Sequence, residues 1–202
     1  MNFFDIIKKH QSVSRFSNKA VPKDKIDRIV KAASQSNNGN SKAAIKIVVV
    51  SNPKKKQDIR LAAEKVEKAY YYGAAANRPE SEPANDSAWQ MPFLEEAPYL
   101  VVVCGPSGQP YWAASTWLAL GNILLATNKE GLGSRCYTPT MATYLHRILN
   151  IPPKFMPIAI VPVGYSAEEL FPSVKPEEER LLKSLFTGRY VWRKEGEEKS
   201  PK

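Results

Sequence analysis

Apolar positions along this chain follow two rhythms. IKIVVVS (45–51), YLVVVC (99–104) and FMPIAIVPVG (155–164) are nearly unbroken apolar runs and predict strands, and SRCYT (134–138) predicts a shorter one. YLVVVC has no polar alternation, the pattern of a strand buried on both faces. Pro162 predicts a position near a strand end or on an edge. Helical spacing marks 2–10 and 23–35; in the latter Ile26, Ile29, Val30 and Ala33 recur on one face, and Pro22 suits a first turn. A charged helix is predicted from Lys54 to Tyr72, others at 141–150 (closed by Pro152) and at 175–186, with acids in its first turn. The stretch 110–133, PYWAASTWLALGNILLATNKEGLG, predicts a helix apolar nearly all round that ends at Gly131 or Gly133. Such a helix must lie in the centre of a core or between subunits.

Between these elements, SQSNNGN (34–40) is turn chemistry, and GAAANRPESEPANDSAWQMP (73–92) reads as a long polar loop. No internal repeat appears. Helices flanking about four strands place the fold in the α/β or α+β class. A single domain is expected over 1–190, with a solvated tail at 191–202.

The chain has 202 residues and a net charge of +9. That charge is diffuse: KDKIDRIVK reads as a solvated helix face and KKK (54–56) as a helix start or loop. Basic residues are not interleaved with exposed aromatics along one element, which speaks against a nucleic-acid surface. No stretch is long enough to span a bilayer, and no signal peptide is evident at the N-terminus. Cys104 and Cys136 each adjoin an apolar run, predicting two buried, reduced thiols without metal-ligand spacing, and a cytoplasmic setting.

The candidate chemistry begins at KKHQSVSRFSN (8–18), where hydroxyls, an amide, a histidine and a guanidinium gather on one short segment. These are groups that hold a phosphate, although the positive charge is thin for a tight clamp. No Ser-His-Asp set or carboxylate pair is present, and His146, inside YLHRIL, reads as a helix residue rather than a base.

Five landmarks in order resemble the FMN-dependent nitroreductase family: HQSVSRF, AASQSNNGNSKAAIKIVVV, EEAPYLVVVC, LALGNILLATNKEGLGS and LNIPPKFMPIAIVPVGY, together spanning roughly residues 3–175. The resemblance implies an α+β three-layer sandwich, with a mostly antiparallel sheet of four to five strands, in an intertwined homodimer holding FMN at its interface. Trp112 and Trp117 would then be interface core. It further implies that His10, Gln11, Ser12, Ser14 and Arg15 form the phosphate-binding run, and that Asn37, Asn38 and Asn40 belong to a second cofactor loop. Tyr137, Thr138, Pro139 and Thr140 would lie at the flavin ring, and Lys175 near the phosphate. His10 and Ser14 stand where the family pattern is basic, and Lys42-Ala43-Ala44 replaces its Gln-Pro-Trp.

The activity so implied is electron transfer from NADH or NADPH to nitroaromatics, quinones or another small-molecule substrate. The chemistry is borne by the flavin, so no catalytic side chain is required. Tyr70, Tyr71, Tyr72 and Trp89 border the segment expected to form a lid. The alternative is a homodimer with weakened or lost flavin binding and a regulatory role. One charged hydrogen bond contributes ~1.5–3 kcal/mol, so losing two would weaken binding ~100-fold or more.

Overall fold

The computed structural model describes residues 2–35, 45–75 and 89–167. The chain through Glu168 forms one compact unit. The second cofactor loop, most of the polar 73–92 segment, the 175–186 helix and the tail lie outside the described residues.

Four strands, β1 (Lys46–Val50), β2 (Tyr99–Pro106), β3 (Gly133–Ser134) and β4 (Phe155–Gly164), form one antiparallel sheet in the order β1-β2-β4-β3. Around them lie α1 (Phe3–Lys9), α2 (Lys23–Ala33), α3 (Pro53–Ala75), α4 (Phe93–Glu96), α5 (Trp112–Lys129) and α6 (Thr143–Leu149). The unbroken apolar character of β2 has the expected cause. Leu100, Val102 and Cys104 enter a core shared with α3, α4 and α6, while Val101 and Val103 enter a second core shared with α2 and α5. All five are fully buried, and β4 divides likewise, Ile160 to the first core and Ala159, Val161 and Val163 to the second. Helix, sheet and helix thus make three layers. Each large aliphatic side chain so placed contributes about 1.5–3 kcal/mol.

Two prolines shape β4. Val103 pairs with Ala159 but Cys104 with Pro157, so Ile158 is an extra residue, and Pro157 sits at this bulge, where no amide is required of it. Pro162 lies near the strand end as expected, yet β4 is an inner strand rather than an edge. Its consequence falls on β3. The Arg135 amide donates to the Pro162 carbonyl at 3.4 Å, but proline has no N–H to return. The ladder therefore breaks, and the strand predicted over 134–138 reduces to Gly133–Ser134 plus an isolated bridge between Tyr137 and Ile160. Beyond the break Cys136 is exposed, correcting the expectation of two buried thiols; only Cys104 is buried, and burial pushes its thiol up to about 12.

Helix α5 is shorter than the predicted 110–133 and ends in a Schellman motif. Gly131, at φ 71°, donates to the Asn128 carbonyl, and the Leu132 amide donates to that of Thr127. Its inner face buries Ser115, Thr116, Ala119, Leu120, Ile123 and Thr127, whereas Trp117 and Leu118 are 47% and 54% exposed. The face of α2 read as solvated is partly engaged: Arg28 forms a two-pronged ion pair with Glu130, both bonds 2.7 Å, at the end of α5. Among the described residues no helix is long and apolar enough to cross a membrane.

Helix α4, hidden within EEAPYLVVVC's approach, has only four residues and so offers no periodicity to read. It is held by Lys56 of the KKK run, which is only 7% exposed. The Lys56 Nζ donates to the carbonyls of Glu95 (2.9 Å) and Ala97 (2.6 Å), and burial lowers the pKa of its ammonium. Replacing Lys56 with Met leaves those carbonyls without their donor. Urea denaturation is expected to show a loss of about 1–3 kcal/mol; an unchanged midpoint would remove this role.

Candidate active site

The segment after α1 is drawn along the sheet by two buried anchors. Val13 is fully buried and Phe16 is 5% exposed, while Ser12 and Arg15 are exposed and Ser14 is half-buried between them. The Val13 amide donates to the Ser134 carbonyl at 3.0 Å, and Ser12 bridges Ser134 in parallel fashion. Farther on, Phe16 bridges Ser166, the Ser17 amide donates to Tyr165, and the Ala167 amide donates to the Arg15 carbonyl. The run thus covers the β3 edge of the sheet like a short fifth strand.

Two glycines make room for it. A Cβ on Gly133 would lie 2.5 Å from Val13 Cγ2, and one on Gly164 would lie 2.5 Å from Pro98 Cδ and 3.0 Å from Phe16 Cδ1. The glycines of GLGS and VGY therefore serve the same segment, which explains why landmarks far apart in sequence belong together.

The predicted residues occupy distinct places. His10 caps the C-terminus of α1 through its amide, which donates to Ile7. Gln11 is half-buried, and its Oε1 is a buried acceptor with no donor among the described residues. Arg15 turns to Glu96, Nε to Oε2 at 3.1 Å, so its charge is matched. Ser14 meets a residue the sequence reading did not select: Arg135 Nη1 donates to Ser14 Oγ at 2.9 Å. The Arg135 guanidinium also lies over the Phe93 ring, 4.5 Å from its centroid. Asn37, Asn38, Asn40 and Lys175 fall outside the described residues.

The 137–140 segment is fixed by a second unselected residue, Glu67 of α3. Its carboxylate accepts from the Tyr137 hydroxyl (2.9 Å), the Thr140 amide (2.9 Å) and the Thr140 hydroxyl (2.7 Å). Tyr137 and Pro139 are buried, Thr138 and Thr140 exposed. Burial raises the pKa of the Tyr137 hydroxyl, with Tyr144 and Glu67 adding to the shift; burial also takes Tyr144 up to about 12. Tyr137 is therefore a neutral donor at working pH. Phe93 packs edge-on against it, ring centroids 6.2 Å apart. The opening run and the 137–140 segment are thus linked through Arg135 and Phe93. Neither Arg135 nor Glu67 carried a signal of its own in the sequence, because each acts on a partner remote along the chain.

Comparison with known proteins identifies the family. The model of the Nitroreductase family matches residues 7–165. The chain belongs to the nitroreductase family. Within that family it is 33% identical to an iodotyrosine deiodinase of Thermotoga neapolitana over 162 residues, covering 80% of this chain and 87% of the relative. It is 36% identical over 178 residues to an iodotyrosine deiodinase of Haliscomenobacter hydrossis, covering 82% and 80% respectively. A crystal structure of oxidised iodotyrosine deiodinase bound to FMN and 3-iodo-L-tyrosine superposes with a TM-score of 0.71 at 31% identity, covering 85% of this chain and 92% of that one.

The Glu67 latch is testable by a double-mutant cycle. Glu67→Ala leaves a buried hydroxyl unpaired and is expected to cost about 1–3 kcal/mol in denaturant unfolding. In a Tyr137→Phe background that cost should shrink measurably, whereas strictly additive losses would show that the pair does not act together.

Proposed function

We propose that this nitroreductase-family chain is an FMN-dependent reductase that works as a homodimer and reduces small aromatic acceptors, with halogenated tyrosine as the leading substrate class. What carries the reading is the likeness, in fold and at 31% identity, to a deiodinase structure that holds both FMN and 3-iodo-L-tyrosine. The expected nitroaromatic and quinone acceptors belong to the same electron-transfer chemistry, with NADH or NADPH as the proposed electron source.

The residues present suit FMN. Ser12 and Ser14 offer hydroxyls on the open side of the run, and the orphaned Gln11 Oε1 is an acceptor suited to a ribityl hydroxyl. His10 ends the helix that leads into the run. Arg15, tied to Glu96, orients the backbone there. Asn37, Asn38, Asn40 and Lys175 complete the set by their place in the family pattern. Tyr137, Thr138, Pro139 and Thr140, latched to Glu67, present a rigid edge to the ring. When bound, FMN supplies the two-electron carrier; the chain binds it, orients it and shields it from water. Reductive removal of iodide replaces a C–I bond by C–H, consumes two electrons and one proton, and releases iodide.

The dimer rests on α5. Trp117 and Leu118 face outward from a helix whose other side is already packed, and α1, which packs beside it, exposes Phe3, Phe4 and Ile7. Exposed apolar surface of this kind mates with a partner. A Trp117→Glu/Leu118→Lys variant is expected to run at the subunit mass in light scattering where wild type runs at twice that mass.

For the activity, purified protein should be yellow or quench added FMN fluorescence at micromolar concentration. Once reduced with dithionite it should convert 3-iodo-L-tyrosine to tyrosine, followed by chromatography. Nitroaromatic reduction without deiodination would move the substrate class; a colourless protein that leaves FMN fluorescence untouched would favour the flavin-free regulatory alternative.

A further inference from the structure

An anion site needs a cation, and the one arginine within the opening run is committed elsewhere, to Glu96. Arg135 is in the opposite situation. It is half-buried, it lies against Ser14, and among the described residues no carboxylate pairs with it. We propose that Arg135 supplies, from the segment that follows β3, the cationic contact to FMN that the run itself lacks at position 14. This assignment rests on the functional reading above.

Three observations converge on it. First, the guanidinium has five N–H donors. Among the described residues one of them is used on a side-chain partner, Ser14 Oγ. Second, because Ser14 Oγ accepts from Arg135, its own proton is directed away from Arg135, so the two side chains form an adjoining donor pair. Third, the stack on Phe93, itself 6% exposed, fixes the guanidinium plane before any ligand arrives. A preorganised, partly desolvated guanidinium with no counter-charge among the described residues is costly unless an anionic or electron-rich ligand meets it.

A cation placed there would act from either side of the contact. In this chain the guanidinium stands a 2.9 Å bond away from Ser14 Oγ, so exchanging the two side chains should preserve the site.

The experiment titrates FMN into wild type, Arg135→Gln, Arg135→Lys and the exchange variant Ser14→Arg/Arg135→Ser, reading fluorescence quenching at two salt concentrations, with circular dichroism confirming each fold. Arg135→Gln should raise the FMN Kd about 10- to 100-fold. It should also flatten the salt dependence of binding. Arg135→Lys should fall between it and wild type, and the exchange variant should recover most of the lost affinity. A purely structural arginine would show none of that recovery.

Wild type that binds FMN while Arg135→Gln binds it equally well overturns this assignment alone, as does an exchange variant no better than Arg135→Gln. Wild type that binds no FMN overturns the functional reading, and the assignment with it.

Discussion

The candidate site depends on one steric constraint: the close approach of the 12–16 segment to the sheet at two positions without side chains. Val13 fills the space beside Gly133, and Phe16 with Pro98 fills the space beside Gly164. A methyl group at either glycine would sit at 2.5 Å from its neighbour, a separation that a close-packed interior resolves only by moving one element. Burying Val13 and Phe16 against the sheet leaves Ser12 and Arg15 exposed and Ser14 half-buried between them; the two anchors stand three residues apart, so the run departs from the strict alternation of a regular strand. The polar face of the run is therefore a by-product of how its apolar face is held.

From that contact the remaining geometry follows in steps. The run lies beside β3, and β3 stops early because Pro162 cannot return a hydrogen bond. The break carries Arg135 to Ser14 and leaves Tyr137 to be caught by Glu67. Phe93, on the four-residue α4 that Lys56 secures, touches both Arg135 and Tyr137. Each link pairs a polar group with a neighbour from another element, so the arrangement is rigid without a large polar core.

Much of the fold was legible from the chain. The apolar runs that became β2 and β4 could hardly do anything else, since burial on both faces needs uninterrupted aliphatics, and 155–164 appears with the bounds expected. Gly131 ends α5 as its composition implies. Less could be read where one proline or a few residues decide the outcome: the shortened β3, the four-residue α4 and the exposure of Cys136. The hydroxyls of the opening run carry the expectation of an anion site, but the partners they meet in the fold, such as Arg135 for Ser14, had no signal in the sequence. Arg135 stands 121 residues from Ser14 and Glu67 70 residues from Tyr137, separations that no local pattern encodes. A surface arginine after GLGS and a glutamate on a charged helix look, in the sequence, like many others.

The stitching of residues 12–17 to 134 and to 165–167 also sets an order of events. Emerging from the ribosome N-terminus first, the opening segment must wait for some 150 residues of synthesis before the far end of β4 exists to receive it. Contacts that remote form late and slowly. A nascent chain halted anywhere before Tyr165 therefore cannot hold its opening segment against the sheet, and that closure is a post-synthetic event.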